Sequence, residues 1–246
     1  MVELKAIWNE GLVPPLTVIE EGPSGDPAGQ LARAAELLDE VKRGLRGPTL
    51  RLYRPGPTMA FGQRDTRLPG FEAAREASLA LGFEPVVRKA GGRAAAYHEG
   101  TLIVDHIEPA AEAMVGHRHR FEVFGELYAE VLRGLGVDAR VGEIPGEYCP
   151  GEYSVHGVPR DAPPVKLVGT AQRVVAGAWL FSSVIVVSDA APVRKVLTEV
   201  YRALELPFEP STAGAADDLV PELTVASVER ALLAMYRERG ALAPGA

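Results

Sequence analysis

The chain has 246 residues, of which 47% are hydrophobic and 24% charged, values close to those of an average folded domain. This composition excludes a disordered, collagen-like or coiled-coil chain. The net charge of −7 argues against nonspecific binding to nucleic acid or to a membrane surface. The longest apolar stretch, 174–187, is interrupted by glycine and serine and is too short to cross a bilayer. The N-terminal residues do not resemble a secretion signal, which predicts a cytoplasmic protein.

The first half of the chain alternates short strands with helices. Asp26 followed by Pro27 is typical of a helix N-terminus, and apolar residues continue at helical spacing until Gly44. A second helix is predicted at 71–81. Two of the predicted strands flank residues 99–100, and we expect them to pair with each other. The predicted strands of this half lie at 16–20, 49–54, 58–61, 85–88, 94–97 and 101–107.

The second half begins with a clear amphipathic helix and ends with two more. A Pro- and Gly-rich stretch at 142–164 is expected to lack regular structure. The interleaved pattern favours an α+β fold, a single domain at 1–246 with mixed β-sheets flanked by helices. The helices are predicted at 120–135, 192–204 and 225–240, and a hairpin is predicted from strands at 165–169 and 172–187.

The first candidate site is a glycine turn that follows a predicted strand. Gly91 and Gly92 would let the backbone approach a ligand closely and present N–H groups to it. The flanking cations Arg88, Lys89 and Arg93 are candidates for holding an anionic group. The alternative is an ordinary glycine turn with surface cations, because short glycine motifs often match by chance.

The second candidate is the single cysteine, Cys149, which lies in the long irregular stretch. One cysteine excludes an intramolecular disulfide and a cysteine-based zinc site, and the histidines lack metal-ligand spacing, so no metal site is predicted. A loop thiol beside a cation becomes a nucleophile because the cation favours the thiolate. The alternative is a thiol with no catalytic role.

The third candidate is Lys166, a charged residue at the start of an apolar strand. A lysine there can point into a pocket, where it would polarise a carbonyl group or stabilise a thiolate. The alternative is a strand-edge lysine that discourages aggregation.

Taken together and in this order, these segments resemble the lipoate/octanoate branch of the biotin/lipoate protein ligase superfamily. Residues 88–92 match its R-R-x-G-G segment, with lysine in place of the second arginine, and residues 166–172 match its K-x-x-G-x-A-Q strand. Phe61-Gly62-Gln63 resembles an element found upstream in the same family. The C-P-G-x-Y sequence at 149–153 is similar to the loop that carries the nucleophile in the cysteine-dependent octanoyltransferases and amidotransferases of the family.

The resemblance implies a fold of the class II synthetase or biotin/lipoate ligase type, without the accessory C-terminal domain of bacterial lipoate ligases. It implies that Lys166 lies beside Cys149 and favours its thiolate. An octanoyl or lipoyl group would then pass from an acyl-carrier or octanoylated protein to Cys149. From there it would pass to a lysine of a lipoyl-domain or glycine-cleavage H-type protein, with no cofactor. The substrate-binding residues implied are Arg88, Gly91, Gly92, Arg93, His98, Gly169, Thr170, Ala171 and Gln172.

Three positions depart from the family pattern. Arg93 stands where glycine or leucine is usual, and its long side chain could fill part of the acyl tunnel. His98 and Ser154 each stand where aspartate is common. Two alternative functions therefore stay open. One is an ATP- and magnesium-dependent lipoate ligase in which Cys149 is incidental, and the other is a non-catalytic binder of acyl groups or lipoyl domains.

Overall fold

The computed structural model describes residues 15–22 and 25–242. Ten strands and five α-helices make up this part of the chain. In chain order they are β1 (Thr17–Glu21), α1 (Pro27–Lys42), β2 (Thr49–Tyr53), β3 (Thr58–Phe61), α2 (Phe71–Ala80), β4 (Glu84–Val87), β5 (Ala95–Tyr97), β6 (Thr101–Ala110), α3 (His117–Gly134), β7 (Ala139–Val141), β8 (Val155–Gly157), β9 (Val165–Val175), β10 (Gly177–Val186), α4 (Ala190–Ala203) and α5 (Val225–Glu238).

The strands form two sheets. The large sheet has seven strands in the order β1-β2-β6-β10-β9-β8-β7, and the small sheet has three in the order β4-β3-β5. Only the β1–β2 and β3–β4 pairs are parallel. The predicted α+β class with mixed sheets is therefore confirmed.

The two faces of the large sheet bury different helices because side chains alternate along a strand. On β10, Trp179 and Phe181 point towards α3 and α5, where the rings of Phe181 and Phe124 stack with centroids 4.3 Å apart. Leu180, between them, points the other way and packs against α1. Helix α4 packs against the small sheet. The space between α1 and the small sheet is where the cavity described below opens.

A buried ion pair lies on the α1 face of the large sheet. Arg51 of β2 donates to the Asp105 carboxylate of β6 over 3.1 Å, and their side chains are 0% and 1% exposed. Ser182 of β10 donates to the second oxygen of Asp105. Burial raises the pKa of Asp105, and the arginine charge and the Ser182 hydrogen bond act against that rise.

The helices and most strands lie where the sequence predicts them, but two predicted pairings are wrong. The strands around residues 99–100 do not pair with each other, because β5 belongs to the small sheet and β6 to the large one. The predicted hairpin turn at 170–171 is instead continuous strand, since Gly169 and Ala171 pair with Val184 and Ser182 of β10. The turn comes after Val175, where Gly177 has a φ of +90°.

Two boundaries also differ from the prediction. The stretch 142–164 contains a strand, Val155–Gly157, which pairs with β7 and β9. The sequence did not predict β7. Helix α3 begins at His117, one turn before the predicted start. Within the described ranges no helix is long and apolar enough to cross a membrane.

The Arg51–Asp105 pair generates a stability prediction. We expect Arg51→Met to lower the free energy of unfolding by about 3–5 kcal/mol, because it leaves a buried carboxylate without its cation. The double variant Arg51→Met/Asp105→Leu should recover most of this loss. Urea unfolding followed by circular dichroism measures both. An Arg202→Met variant, which breaks an exposed pair with Glu199, is the control and should change stability by less than about 1 kcal/mol. Equal losses in the single and double variants would contradict this account.

Candidate active site

A cavity, partly open to solvent, lies between α1, the large sheet and the segment that follows β4. Its sheet wall comes from β6, β9 and β10, and its outer wall includes Arg88, Lys89 and Cys149. Ligand pockets typically combine apolar walls with a few polar groups, and this cavity has that character. Its aliphatic side chains are Leu31, Ala34, Ala35, Ala90, Ala95, Ile103, Ala171, Leu180 and Val184.

Cys149 stands in this wall with a strained backbone. Its φ is +44°, a left-handed conformation uncommon for a residue other than glycine. Its N–H donates to the Tyr201 hydroxyl over 2.7 Å, and that hydroxyl donates to the Ala94 carbonyl over 2.9 Å. Tyr201 is buried on α4, so a rigid helix fixes the position of the cysteine.

Two donors meet the cysteine sulfur. The backbone N–H of Arg93 donates to Sγ over 3.1 Å, and Nη2 of Arg88 lies 4.0 Å from it. The Arg88 guanidinium is held by the Tyr97 hydroxyl and by the Arg93 carbonyl, at 2.8 and 2.7 Å. A fixed positive charge and an aimed N–H are thus both placed to stabilise negative charge that develops on the sulfur when it reacts.

Gly92 is what allows the sulfur to approach the backbone. Its φ is +96°, and a Cβ at this position would lie 2.9 Å from Sγ of Cys149 and 2.6 Å from Nη2 of Arg88. A Cβ at Gly91 would meet nothing within 4 Å. Of the two glycines that the sequence singles out, Gly92 is therefore the one that the site requires.

A buried carboxylate and an ammonium group hold the cysteine loop. Oε1 of Glu147 accepts from Lys166 Nζ over 2.9 Å, from the Ser154 hydroxyl over 2.7 Å and from the Gly151 N–H over 3.1 Å. Lys166 Nζ also donates to the carbonyls of Tyr148 and Cys149, over 3.0 and 2.8 Å. Ser154, a departure from the family pattern, thus has a partner within the loop.

The expected role of Lys166 needs a correction. The lysine lies beside Cys149 as predicted, but its ammonium contacts backbone carbonyls and Glu147 instead of the sulfur. Within the part of the chain that the structure describes, the side-chain cation hydrogen-bonded to Sγ is Arg88. Lys166 therefore positions the loop, and Arg88 faces the thiol.

The two departures nearest the glycine turn do not enter the cavity. The Arg93 side chain donates to buried Asp65 over 3.1 Å, whose other oxygen accepts from the Gly62 N–H. The expectation that Arg93 fills an acyl tunnel is thus wrong. His98 is buried outside the cavity lining, where its Nδ1 accepts from the Gly100 N–H. Burial lowers the pKa of His98.

Some residues of the K-x-x-G-x-A-Q strand line the cavity, and others point away from it. Gly169, Thr170 and Ala171 line the cavity, as does Lys166. Gln172 turns away, where its side chain accepts from Arg120 and donates to the His117 carbonyl. The structure therefore brings most of the predicted site residues together, but not His98 or Gln172.

Sequence reasoning missed several residues of the site. Glu147 and Tyr148 directly precede the cysteine, so their position in the candidate loop is a signal that could identify them as part of the site. Asp65 and Tyr201 gave no such signal, because an isolated carboxylate and a tyrosine at helical spacing look like ordinary surface and core positions. Across residues 15–22 and 25–242, no group of three His, Cys, Asp or Glu side chains could hold a metal ion.

The contact of Gly92 with the thiol generates a prediction. We expect Gly92→Ala to slow alkylation of Cys149 by iodoacetamide at least about tenfold, because the methyl group displaces Sγ and Arg88 and the φ is unfavourable for alanine. Gly91→Ala, in open space one residue earlier, is the matched control and should react like the unmodified chain. Thiol labelling followed by mass spectrometry gives both rates. Equal rates in the two variants would show that the close approach is unimportant.

Comparison with known proteins agrees with this geometry. Residues 26–236 match the family model described as the lipoyl protein ligase A/B catalytic domain. An octanoyl-[GcvH]:protein N-octanoyltransferase of Geobacillus kaustophilus is 27% identical over 88% of this chain and 77% of its own length. The enzyme of the same name from Anoxybacillus flavithermus is 31% identical over 63% of this chain and 54% of its own. A lipoyl-[GcvH]:protein N-lipoyltransferase of Listeria monocytogenes is 26% identical over 54% of this chain and 48% of its own.

Solved structures show the same fold. A lipoate-protein ligase A crystallised with ATP superposes with a TM-score of 0.70 at 20% identity, covering 94% of this chain and 87% of its own. A putative lipoate protein ligase from T. acidophilum, Ta0514, reaches 0.67 at 17% identity with the same coverage. The matched family model spans most of the chain and includes the glycine turn, the cysteine loop and Lys166. The chain therefore belongs to the lipoyl protein ligase A/B catalytic domain family.

Proposed function

We propose that this protein transfers an octanoyl or lipoyl group to a lysine of a lipoyl-accepting protein through an acyl-Cys149 intermediate. The observation that carries the proposal is the environment of the sulfur. Sγ lies in the wall of a largely apolar cavity and meets the Arg93 N–H and the Arg88 guanidinium. A nucleophile and a space for an apolar chain thus adjoin each other.

In the first step, the Cys149 thiolate attacks the carbonyl carbon of an acyl thioester on the donor. A C–S bond to Sγ forms, and the carbonyl oxygen takes the negative charge in a tetrahedral intermediate. The intermediate collapses, the C–S bond to the donor breaks, and the donor leaves as a thiolate. With a carrier thioester as the donor, one thioester replaces another, so the step needs neither ATP nor a net proton transfer. With an octanoylated protein as the donor, the C–N bond of its lysine amide breaks instead, and the lysine leaves as an amine that takes a proton from solvent.

In the second step, the neutral amine of the acceptor lysine attacks the acyl-cysteine carbonyl. The C–N bond forms, the C–S bond breaks, and the amine loses a proton to solvent. The products are an amide and the regenerated Cys149 thiolate. Amide formation from a thioester is strongly downhill, which gives the reaction its direction. Arg88 and the Arg93 N–H stabilise the departing sulfur as they stabilise the attacking one.

The names of the relatives support the choice of partners. The curated relatives are named for transfer involving GcvH, with octanoyl in one group and lipoyl in the other. These names write GcvH as the carrier of the acyl group and a second protein as its acceptor. We propose a lipoyl domain or a glycine-cleavage H-type protein as the acceptor, and an acyl-carrier or octanoylated protein, which includes an octanoylated H-type protein, as the donor. The proposal requires no cofactor. The cytoplasmic location stays a prediction from the sequence.

The acyl-cysteine is directly observable. We expect intact-protein mass spectrometry, after incubation with octanoyl-acyl carrier protein and no ATP, to show a gain of about 126 Da that hydroxylamine removes, as a thioester requires. Cys149→Ser should lose transfer to a glycine-cleavage H-type acceptor by about a thousandfold or more, because the hydroxyl is not ionised at neutral pH. Thermal unfolding of the serine variant controls for its fold.

Two other outcomes would overturn the proposal. If no adduct forms but free lipoate is ligated once ATP and magnesium are added, with Cys149→Ser equally active, the protein is a ligase. If neither donor nor free acid reacts while a lipoyl domain still binds, the protein is a non-catalytic member of the family.

A further inference from the structure

The Tyr148 hydroxyl is the clearest unexplained polar group at the site. The side chain is 1% exposed and lines the cavity next to Cys149. Its hydroxyl is buried, yet it has no hydrogen-bond partner among the residues that the structure describes. Buried polar groups are nearly always paired, and an exception calls for an explanation. A buried hydroxyl without a partner, on a side chain that lines the cavity, is a candidate donor to a ligand atom once a ligand enters.

Most other donors around the cysteine are already used. Lys166 Nζ donates to a carboxylate and two carbonyls. Nη1 and Nη2 of Arg88 bind the Tyr97 hydroxyl and the Arg93 carbonyl, and the Tyr201 hydroxyl donates to Ala94. The Tyr148 O–H and the Nε–H of Arg88 are both buried without a partner. The Ser183 hydroxyl is also buried with no hydrogen bond of normal geometry among the described residues, and its residue lines the cavity, but Tyr148 adjoins Cys149 in the chain and Arg88 lies against Sγ.

The surroundings of Tyr148 hold it in place and keep it protonated. Its ring packs edge-to-face on Phe208, with centroids 6.3 Å apart, and Lys166 Nζ lies 4.9 Å from the ring centroid. Burial, with a smaller contribution from neighbouring Cys149 and Glu147, raises the pKa of Tyr148. The hydroxyl therefore stays a neutral hydrogen-bond donor while the thiolate is present.

We propose that Tyr148 is a catalytic residue whose hydroxyl donates to the carbonyl oxygen of the acyl group, with Arg88 Nε as the second donor. This inference rests on the proposed acyl transfer. In each step the carbonyl oxygen becomes an oxyanion when Sγ or the amine adds, and returns to a carbonyl when the leaving sulfur departs. Tyr148 keeps its proton throughout and supplies only a hydrogen bond, which strengthens as charge develops on the oxygen.

The test compares two reactions of the same sulfur in Tyr148→Phe. Acylation of Cys149 passes through an oxyanion, whereas alkylation by iodoacetamide does not. We expect acylation by octanoyl-acyl carrier protein and by p-nitrophenyl octanoate to slow about 100-fold, the usual effect of losing one oxyanion donor. Alkylation should stay within about twofold of the unmodified chain, because the position and charge of the sulfur do not depend on this hydroxyl.

Tyr128→Phe is the matched control. Tyr128 lies on α3, in the core on the other face of the large sheet, and its hydroxyl is likewise buried with no hydrogen bond of normal geometry in the described part of the chain. The same chemical change there should leave both acylation and alkylation rates unchanged. Thermal unfolding of both variants shows whether either has lost its fold.

Three other results would contradict the proposed role of Tyr148, the proposed donor, or both proposals. If Tyr148→Phe acylates at the normal rate, or if acylation and alkylation fall equally, the hydroxyl is not an oxyanion donor. If the unmodified chain reacts with the nitrophenyl ester but not with the carrier thioester, the proposed donor is wrong, and the ester rates still decide the role of Tyr148. If neither acylates Cys149, and an octanoylated H-type protein does not acylate it either, both proposals are wrong.

Discussion

The ion pair between Glu147 and Lys166 is the interaction on which the geometry of the site depends. Both side chains are buried, at 0% and 1% exposure, and a buried charge is tolerated only when its partners satisfy it. The carboxylate accepts from the loop at Gly151 and Ser154 as well as from the lysine. The conformation of the loop and the position of the lysine side chain thus depend on each other. The strained backbone of Cys149 persists because the surrounding contacts over-determine it.

The surroundings of the Cys149 thiol are assembled from parts of the chain that are far apart in sequence. The glycine turn leaves the small sheet, the cysteine loop is held to the large sheet by Lys166, and Tyr201 comes from a helix that packs on the small sheet. Sγ meets a backbone N–H that lies 56 residues away. The two sheets must therefore take up their final positions before the thiol has its donors. The reactivity of the thiol thus depends on how the two sheets pack together.

This construction explains what could be predicted from the sequence. Helices and most strands follow from local periodicity, and the cysteine and lysine follow from a motif. The pairing of the strands does not follow from local periodicity. Strands β5 and β6 are separated by a short turn yet belong to different sheets. Gly169 is a residue typical of turns, but here it lies within a continuous strand. The roles of individual side chains also cannot be predicted from the local sequence. The sequence places a cation near the thiol, but only the fold shows that it is Arg88, since the three hydrogen bonds of Lys166 are made to residues of the loop.

The proposed acyl-cysteine intermediate gives the arginine at the sulfur a chemical consequence. A lysine facing the acyl-cysteine would compete with the acceptor lysine whenever it lost its proton, because a neutral amine is the nucleophile of the second step. A guanidinium is charged at any physiological pH and is not a nucleophile. Lys166, which does lie within reach of the loop, donates to Glu147 and to two carbonyls, and these contacts hold it to the loop instead of directing it at the sulfur. The arrangement supplies positive charge to the thiolate without offering an amine that would trap the acyl group.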